Sequence, residues 1–419
     1  MGKLAVLLFF LLCSSFASGQ SLQEYFTLAQ EAYQQKEYDT YLEYLISANE
    51  MRPNHPVIVY RLAGAYALNN RKTRAIQTLN QMLLMDATID FNGDDDFASI
   101  RARRGYDKLI ELQKELNRIE ENDEVFIEVD AAELHPESFV ILEDGTLLMG
   151  SIREKRIVKV LADGNYVNWL ETPFSVMGMK VDSITNTLWV ATAAIPEMMD
   201  YSEEQKGYST LLQVDLNTGF IIQGMQYDEG SLIGDLQPDS NQKLWFTNSM
   251  EPYLNRDDTD TTSVLGTFTR LSYDLYENFI NLQGLTLSED EKYLYFSDYI
   301  KGLFRVDIEE GDITPVLSNS ATLLKGIDGV YTYKNTLIAI HNGTKPNKVV
   351  QYFLNEEGTF IEFERVINRG GADLGEPTLG QVKDGYFYYL ANSPWAAYEN
   401  GEFNVSSWGK IQIRRIKLD

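Results

Sequence analysis

Between Ser21 and about Asn122, apolar residues recur at helical spacing, with few glycines and no strand-like alternation. This predicts a helical domain over 20–122. Sliding the segment along itself until Leu28 falls on Leu62 also places Ala29 on Ala63, Tyr41 on Ala75 and Leu45 on Leu79. Small residues at matching positions let paired helices approach closely, and Pro53 ends the second helix of the first copy. A degraded third copy, with helices near 97–103 and 106–121, completes about three expected hairpins. Ala29, Ala63 and Ala75 are expected to be buried between them.

After Asn122 the chain changes to short strands with turn residues between them. One phrase recurs: a polar or glycine start, an apolar strand, a polar turn, then a strand carrying a leucine and an aromatic. Copies begin near Glu137, Gly178, Asp235, Gly284, Asp328 and Pro377, about 48 residues apart, a propeller repeat rather than a solenoid repeat. The prediction is a mainly β fold, a six-bladed β-propeller over 123–419 behind the N-terminal α-helical domain. Ring closure needs one blade built from both ends, and segments 125–130 and 410–418 are the expected partners.

The helical copies resemble the tetratricopeptide repeat in their period of about 34 residues. Similarity to the regucalcin/gluconolactonase superfamily (senescence-marker proteins) rests on three stretches of the second part. These are the blade phrase from Gln283 to Asp298, the run His135 to Ser138, and Ile327-Asp328-Gly329. The resemblance covers roughly residues 130–419 and implies a propeller whose relatives include lactonases, other enzymes and non-enzymes. It also implies a divalent cation (Ca, Mn, Mg or Zn) held by Glu, Asn, Asn and Asp from four blades, with no organic cofactor. Glu137 and Asp328 match the first and last of these. The two Asn positions hold Gly234 and Gln283, so Asp235 beside Gly234 and the Gln283 carbonyl complete the expected metal set.

Blade register alone puts strand starts and returning strand ends at one mouth of the central channel. The starts supply Glu137, Asp235, Gln283, Asp328 and Glu376. The returning ends supply Ser151, Thr192, Asn248, Asp298, His341, Asn342 and Asn392. Converging carboxylates raise one another's pKa or recruit a cation with oxygen ligands. Such a cation would polarise a lactone or ester carbonyl, with Asp328 or His341 as general base. Glu376, Asn248, Asp298 and Asn392 are expected to line the substrate channel. The same residues could instead hydrogen-bond the turns at the blade starts around a wet channel. His135, two residues from Glu137, is a further candidate base, and His55 lies in a turn between two prolines.

Charge and composition narrow the partners. Lys and Arg total 36 against 62 Asp and Glu, a formal net charge of −26. A surface that acidic disfavours nucleic acid and anionic membranes. Cys13 is the one cysteine, so disulfide frameworks and Cys-type zinc sites are excluded. Lys3, the apolar run 4–12 and the small-residue pair Ala17 and Gly19 read as a cleaved secretory signal over 1–19. A secreted or periplasmic protein is expected, and Leu12 before Cys13 argues against lipidation. No later apolar stretch is long enough to span a membrane. The acidic loop at Asp90, Asn92 and Asp94 lacks the glycine and glutamate of a calcium loop, since Asp95 and Arg101 stand there. Serine-hydrolase elbows, phosphate loops and zincin motifs do not occur. Asn342 and Asn404 begin glycosylation sequons. Two function classes remain. One is a channel that binds a small lactone or ester and could hydrolyse it; the other is a scaffold whose helical repeats hold a protein partner.

Overall fold

The computed structural model describes residues 21–227, 230–250, 254–257, 279–319, 322–399, 401–406 and 408–419. The expected export signal, with Cys13, lies outside the described residues. Two compact units are distinguished: residues up to Leu79 with Phe91–Tyr106, and Asn80–Asp90 with Asp107–Asp419.

Five α-helices open the described chain: α1 (Leu22–Gln34), α2 (Tyr38–Met51), α3 (Pro56–Leu68), α4 (Lys72–Met85) and α5 (Arg104–Leu116). Ser21 starts α1 by accepting the Glu24 N–H at 3.2 Å, while the Glu24 carboxylate accepts the Ser21 N–H at 2.6 Å. Pro56 opens α3, where its missing N–H costs nothing. The step from Leu22, which begins α1, to Pro56 equals the step from Tyr38, which begins α2, to Lys72, which begins α4. The same step carries Leu28 onto Leu62, so the helix pairs keep the period of the sequence. The turns repeat as well. Lys36 and Asn70 are left-handed, with φ of 60° and 57°. The following Glu37 and Arg71 N–H groups donate to the Ala32 and Tyr66 carbonyls at 2.9 and 2.8 Å. Ala29, Ala63 and Ala75 are fully buried, as close helix approach requires. Ala63→Trp is therefore expected to destabilise the helical part by about 1–3 kcal/mol through overpacking. Denaturation of the full chain followed by helical circular dichroism would show it, and an unchanged midpoint would refute it.

The third hairpin does not form. Its first half is a short 3-10 turn, Asp95–Phe97, and α5 follows without a helical partner from this segment. The run Arg101, Arg103 and Arg104 offers no continuous apolar stripe to bury. The acidic loop is spent on structure: Tyr60 and Tyr33 donate their hydroxyls to Asp94 and Asp96 at 2.7 and 2.9 Å. Among the described residues, no helix is long and apolar enough to cross a membrane.

The second unit is a mainly β propeller. Its first sheet pairs Pro136–Ile141, Leu147–Ser151, Arg156–Val160 and Tyr166–Glu171 in order from the innermost strand. The second pairs Ser175–Asp182, Thr187–Ala193, Ser209–Asp215 and Ile221–Tyr227. Ile233–Pro238, Leu244–Asn248 and Leu254–Asp257 form the third, and residues 258–278 beyond it lie outside the described part. The fourth holds Leu282–Leu287, Tyr293–Asp298, Gly302–Asp307 and Ile313–Pro315. The fifth holds Ile327–Tyr333, Thr336–His341, Lys348–Leu354 and Ile361–Arg369, extended by Glu120–Glu121. The closing sheet joins Gly380–Lys383, Tyr386–Leu390 and Ile411–Lys417 to Glu124–Val129. Five sheets thus show the strands of a complete blade, one fewer than expected, and the third shows three strands among the described residues.

The two ends of the propeller sequence pair antiparallel, Val125 opposite Arg414 and Val129 opposite Ile411. Apolar alternation in both strands selects this register, because a one-residue slip would expose Ile411 and Ile413, both fully buried. Innermost strands touch in sequence and the last touches the first. Their approach is close. A Cβ on Gly284 would stand 2.6 Å from the Asp328 carbonyl oxygen and from the Val330 nitrogen, so only glycine lets the fourth and fifth innermost strands meet.

Candidate functional site at the channel mouth

Five innermost strands begin with a break in register, between Pro136/Phe139, Val176/Gly178, Ile233/Leu236, Leu282/Leu285 and Ile327/Gly329. A bulge re-aims the side chain it releases from the ladder. The released positions include Glu137, Met177, Gly234, Gln283 and Asp328. Glu376 takes the equivalent place ahead of the closing sheet, bridged to Ser393. In ring order Asp328, Glu376 and Glu137 are neighbours, and Met177, Gly234 and Gln283 complete the circle without charge. The mouth therefore has an acidic half and a neutral half.

Loops that follow the returning strands hold the acids in place. Trp395 Nε1 donates to Glu137 Oε2 at 2.7 Å. Asn342 Nδ2 donates to Asp328 Oδ2 at 2.8 Å, and the Tyr299 hydroxyl donates to Asn342 Oδ1 at 3.0 Å. Tyr299 is seated over Gly343, where a Cβ would stand 2.6 Å from its hydroxyl oxygen. The Thr378 and Ser393 hydroxyls donate to the Glu137 and Pro136 carbonyls, both at 2.8 Å, and tie the closing sheet to the first.

Burial, then the charges of Asp328 and Glu376, pushes the Glu137 carboxyl well above the ordinary range. Burial, then the Glu376 charge, pushes Asp328 up to about 7, against the Asn342 hydrogen bond that favours its anion. Burial also raises Glu376, opposed by the Lys345 charge. All three are thus shifted in the direction that favours the protonated form, as converging carboxyls withdrawn from water are.

The expected metal set does not converge. Asp235 is buried with both oxygens engaged, Oδ1 by the Leu236 N–H at 2.9 Å and Oδ2 by the Leu285 N–H at 3.1 Å. It latches the third innermost strand to the fourth instead of facing the mouth. Gln283 donates its amide to Asn281 Oδ1 at 2.8 Å, with Oε1 turned toward the open side of Gly234. Among the described residues, no three His, Cys, Asp or Glu side chains come together as a set able to hold a metal ion. The donors present do not fit the four-blade cation site.

No family model matches the chain, and no curated protein matches it. Among solved structures, virginiamycin B lyase from Staphylococcus aureus is similar at 13% identity with a TM-score of 0.46, over 70% of this chain and 98% of that one. A gluconolactonase from Xanthomonas campestris gives 14% and 0.46, over 68% and 86%. A calcium-binding regucalcin from Agrobacterium tumefaciens gives 14% and 0.46, over 71% and 95%. None of these likenesses bears on the chemistry of the mouth.

Several expected site residues have structural roles elsewhere. His341 is fully buried, with Nε2 2.7 Å from the Tyr352 hydroxyl and Nδ1 3.2 Å from the Lys325 carbonyl. Burial drives its pKa well below the ordinary histidine value, so it is neutral, engaged at both nitrogens and unable to act as the base. Asn248 Oδ1 accepts the Leu232 and Met250 N–H groups at 2.9 and 3.1 Å. Asp298 does the same for Ile280 and Ile300 at 2.6 and 2.9 Å. Asn392 binds the Gln412 N–H and the Lys410 carbonyl at 2.8 and 2.9 Å. Asn248 and Asp298 close the loops leading into their blades, and Asn392 fixes the start of the strand Ile411–Lys417 in its own sheet. A returning strand lies one strand spacing, about 4.8 Å, farther from the axis than the innermost strand. Trp395 and Tyr299 are the residues holding the acids that the blade phrase did not bring out. With Asn342, they share a recognisable place, shortly beyond a returning strand end.

His135 is also fully buried. Trp395 lies edge-on at 4.4 Å and Phe403 stacked at 5.6 Å, and burial pushes its pKa down to about 3. It packs neutral within aromatic rings.

Proposed function

We propose that the chain is an exported six-bladed propeller that binds a small, neutral, oxygen-rich ligand, a lactone or ester, at the acidic half of its channel mouth and hydrolyses it by proton transfer. The observation that carries this reading is three carboxyls on adjacent blades, Glu137 buried and Asp328 and Glu376 half-buried, two of them oriented by Trp395 and Asn342. Asp328, ionised above about 7, takes a proton from water as the water oxygen attacks the ligand carbonyl carbon. Glu137, whose carboxyl burial pushes well above the ordinary range, gives its proton to the departing alkoxide oxygen. The acyl–oxygen bond breaks, giving an acid and an alcohol, and the proton on Asp328 returns to Glu137 through the mouth.

The assay is proton release from a panel of aldonolactones and aryl esters with wild type and Glu137→Gln. At least tenfold loss in the variant, with wild-type activity that survives a chelator, is the expected result, within the span that one general acid contributes. Activity abolished by chelator would overturn the metal-free route. Activity equal in the two proteins would overturn the role of Glu137.

A second reading rests on the repeated helix pairs, α1 with α2 and α3 with α4, whose starts keep one common offset. They support a tetratricopeptide-like module that holds a peptide segment of a protein partner. Absence of turnover across the whole panel, with a peptide retained by the full-length chain, would favour it.

A further inference from the structure

Below the acidic mouth, the central channel contains a cavity of about 280 Å³. Every innermost strand contributes to its wall, from Val140 in the first sheet to Val382 in the closing one. Lys180 belongs to the second innermost strand and Tyr331 to the fifth, three places away around the ring. The Lys180 ammonium nevertheless lies 4.7 Å from the Tyr331 ring centroid, so this side chain reaches across the channel. The Tyr331 ring is held from behind, its hydroxyl oxygen accepting the Gly380 N–H at 2.6 Å.

Lys180 has a cation and no paired anion. Among the described residues, no carboxylate oxygen lies within ion-pair distance of its ammonium, in a chain whose acids far outnumber its bases. Asp235 is near enough to feel its charge, but the Leu236 and Leu285 N–H groups fix both its oxygens. An aromatic face attracts an ammonium yet accepts none of its three N–H bonds in the ordinary sense. A half-buried ammonium beside a partly open space is a receptor for an acceptor group. Leu287, Val181 and Val382 give the same cavity apolar wall, and the Thr286 and Thr332 hydroxyls face each other at 3.2 Å. Glu289 stands exposed at its rim, with Oε1 accepting the Lys334 N–H at 2.8 Å. Its charge disfavours a dianion and leaves a singly charged ligand as the better fit.

We propose that this cavity is a second binding site, for a small monocarboxylate whose carboxylate meets Lys180 and whose apolar body lies along Leu287, Val181 and Val382. It is separate from the mouth and does not depend on the hydrolase reading. A carboxylate–ammonium contact in a partly desolvated channel is charge-assisted, and the surrounding hydroxyls supply further donors.

The test is calorimetric titration of the full chain with benzoate, with benzamide as its neutral counterpart. Benzoate is expected to bind wild type at least tenfold more tightly than benzamide does. Lys180→Met, which keeps the stem against Tyr331, is expected to weaken benzoate at least tenfold, and Lys180→Arg to restore most of the loss. Asp328→Asn is expected to keep the benzoate-over-benzamide preference that Lys180→Met removes, which separates this site from the mouth. Equal benzoate affinity in Lys180→Met, or no benzoate binding up to about 10 mM, weaker than about −3 kcal/mol, would overturn the proposal. Should Lys180→Met melt early, the benzoate-dependent shift of the Lys180 ¹⁵Nζ resonance in wild type decides the same point. A shift supports the site, and a resonance that stays still refutes it.

Discussion

Asp123→Ala is expected to cost the propeller about 3–5 kcal/mol, because it strands a buried arginine. Asp123 has no exposed side-chain surface and sits just before the strand Glu124–Val129 that closes the ring. Its carboxylate accepts from Arg414 Nε at 2.9 Å and Nη2 at 3.1 Å, from Asn368 Nδ2 at 3.1 Å, and from the Tyr389 hydroxyl. With the carboxylate gone, Arg414 keeps Gln412 Oε1 at 3.2 Å and a long contact to Asp373 at 3.8 Å. Those do not replace a two-pronged ion pair out of water. Urea unfolding of wild type and variant measures the loss. The double variant Asp123→Ala/Arg414→Met should recover part of it, since a buried pair replaced as a whole costs far less than one partner removed. A single variant within about 0.5 kcal/mol of wild type would show that the pair does not hold the closure.

Asp328→Asn is expected to lower lactone or ester hydrolysis at least 100-fold, the usual range for loss of a general base. In wild type the rate should rise with pH up to about 7 as Asp328 ionises, then fall at higher pH as Glu137 loses its proton. A pH–rate profile checks both limbs, and a flat profile through pH 7 would exclude Asp328 as the base. Stability should run the other way. Asp328 has its folded pKa raised above the ordinary 3.8, so the folded state holds a proton that the unfolded chain releases. This contribution is complete below pH 3.8 and is lost as pH rises through about 7. The loss over that interval is on the order of 4 kcal/mol, shared among the coupled acids. Asp328→Asn should flatten that part of the stability profile. A slope identical to wild type would place the titrating proton elsewhere.

Much of the architecture was legible in the residue pattern, because it depends on short-range periodicity. Leu28 and Leu62, or Ala29 and Ala63, betray the helical repeat, since a helix turn recurs by its own geometry. Apolar alternation in 410–418 and around Val125 marks two strands, and those strands pair. The phrase from Gln283 to Asp298 carries its glycine where neighbouring innermost strands nearly touch. Glu137, Asp328 and Glu376 were also within reach, since strand starts recur once per blade. The third helical hairpin that the repeat implies does not form, because its arginine run supplies no buried stripe.

What the linear pattern could not decide is which way each polar side chain turns once the blades meet. Asp235 and Glu137 both follow a strand start. Asp235 is taken by the Leu285 N–H of the next blade, whereas Glu137 meets the Trp395 indole. Asp298, Asn248 and His341 look like channel residues by register, yet backbone N–H and carbonyl groups of their own blades' entry loops claim them. Lys180 meets Tyr331 from three blades away, and Asp123 meets Arg414 from the opposite end of the propeller sequence. Local spacing determined the helices, the strands and their order. Only the closed ring, by setting how far each strand lies from the axis and which donor reaches each carboxylate first, decided which acids remain available for chemistry.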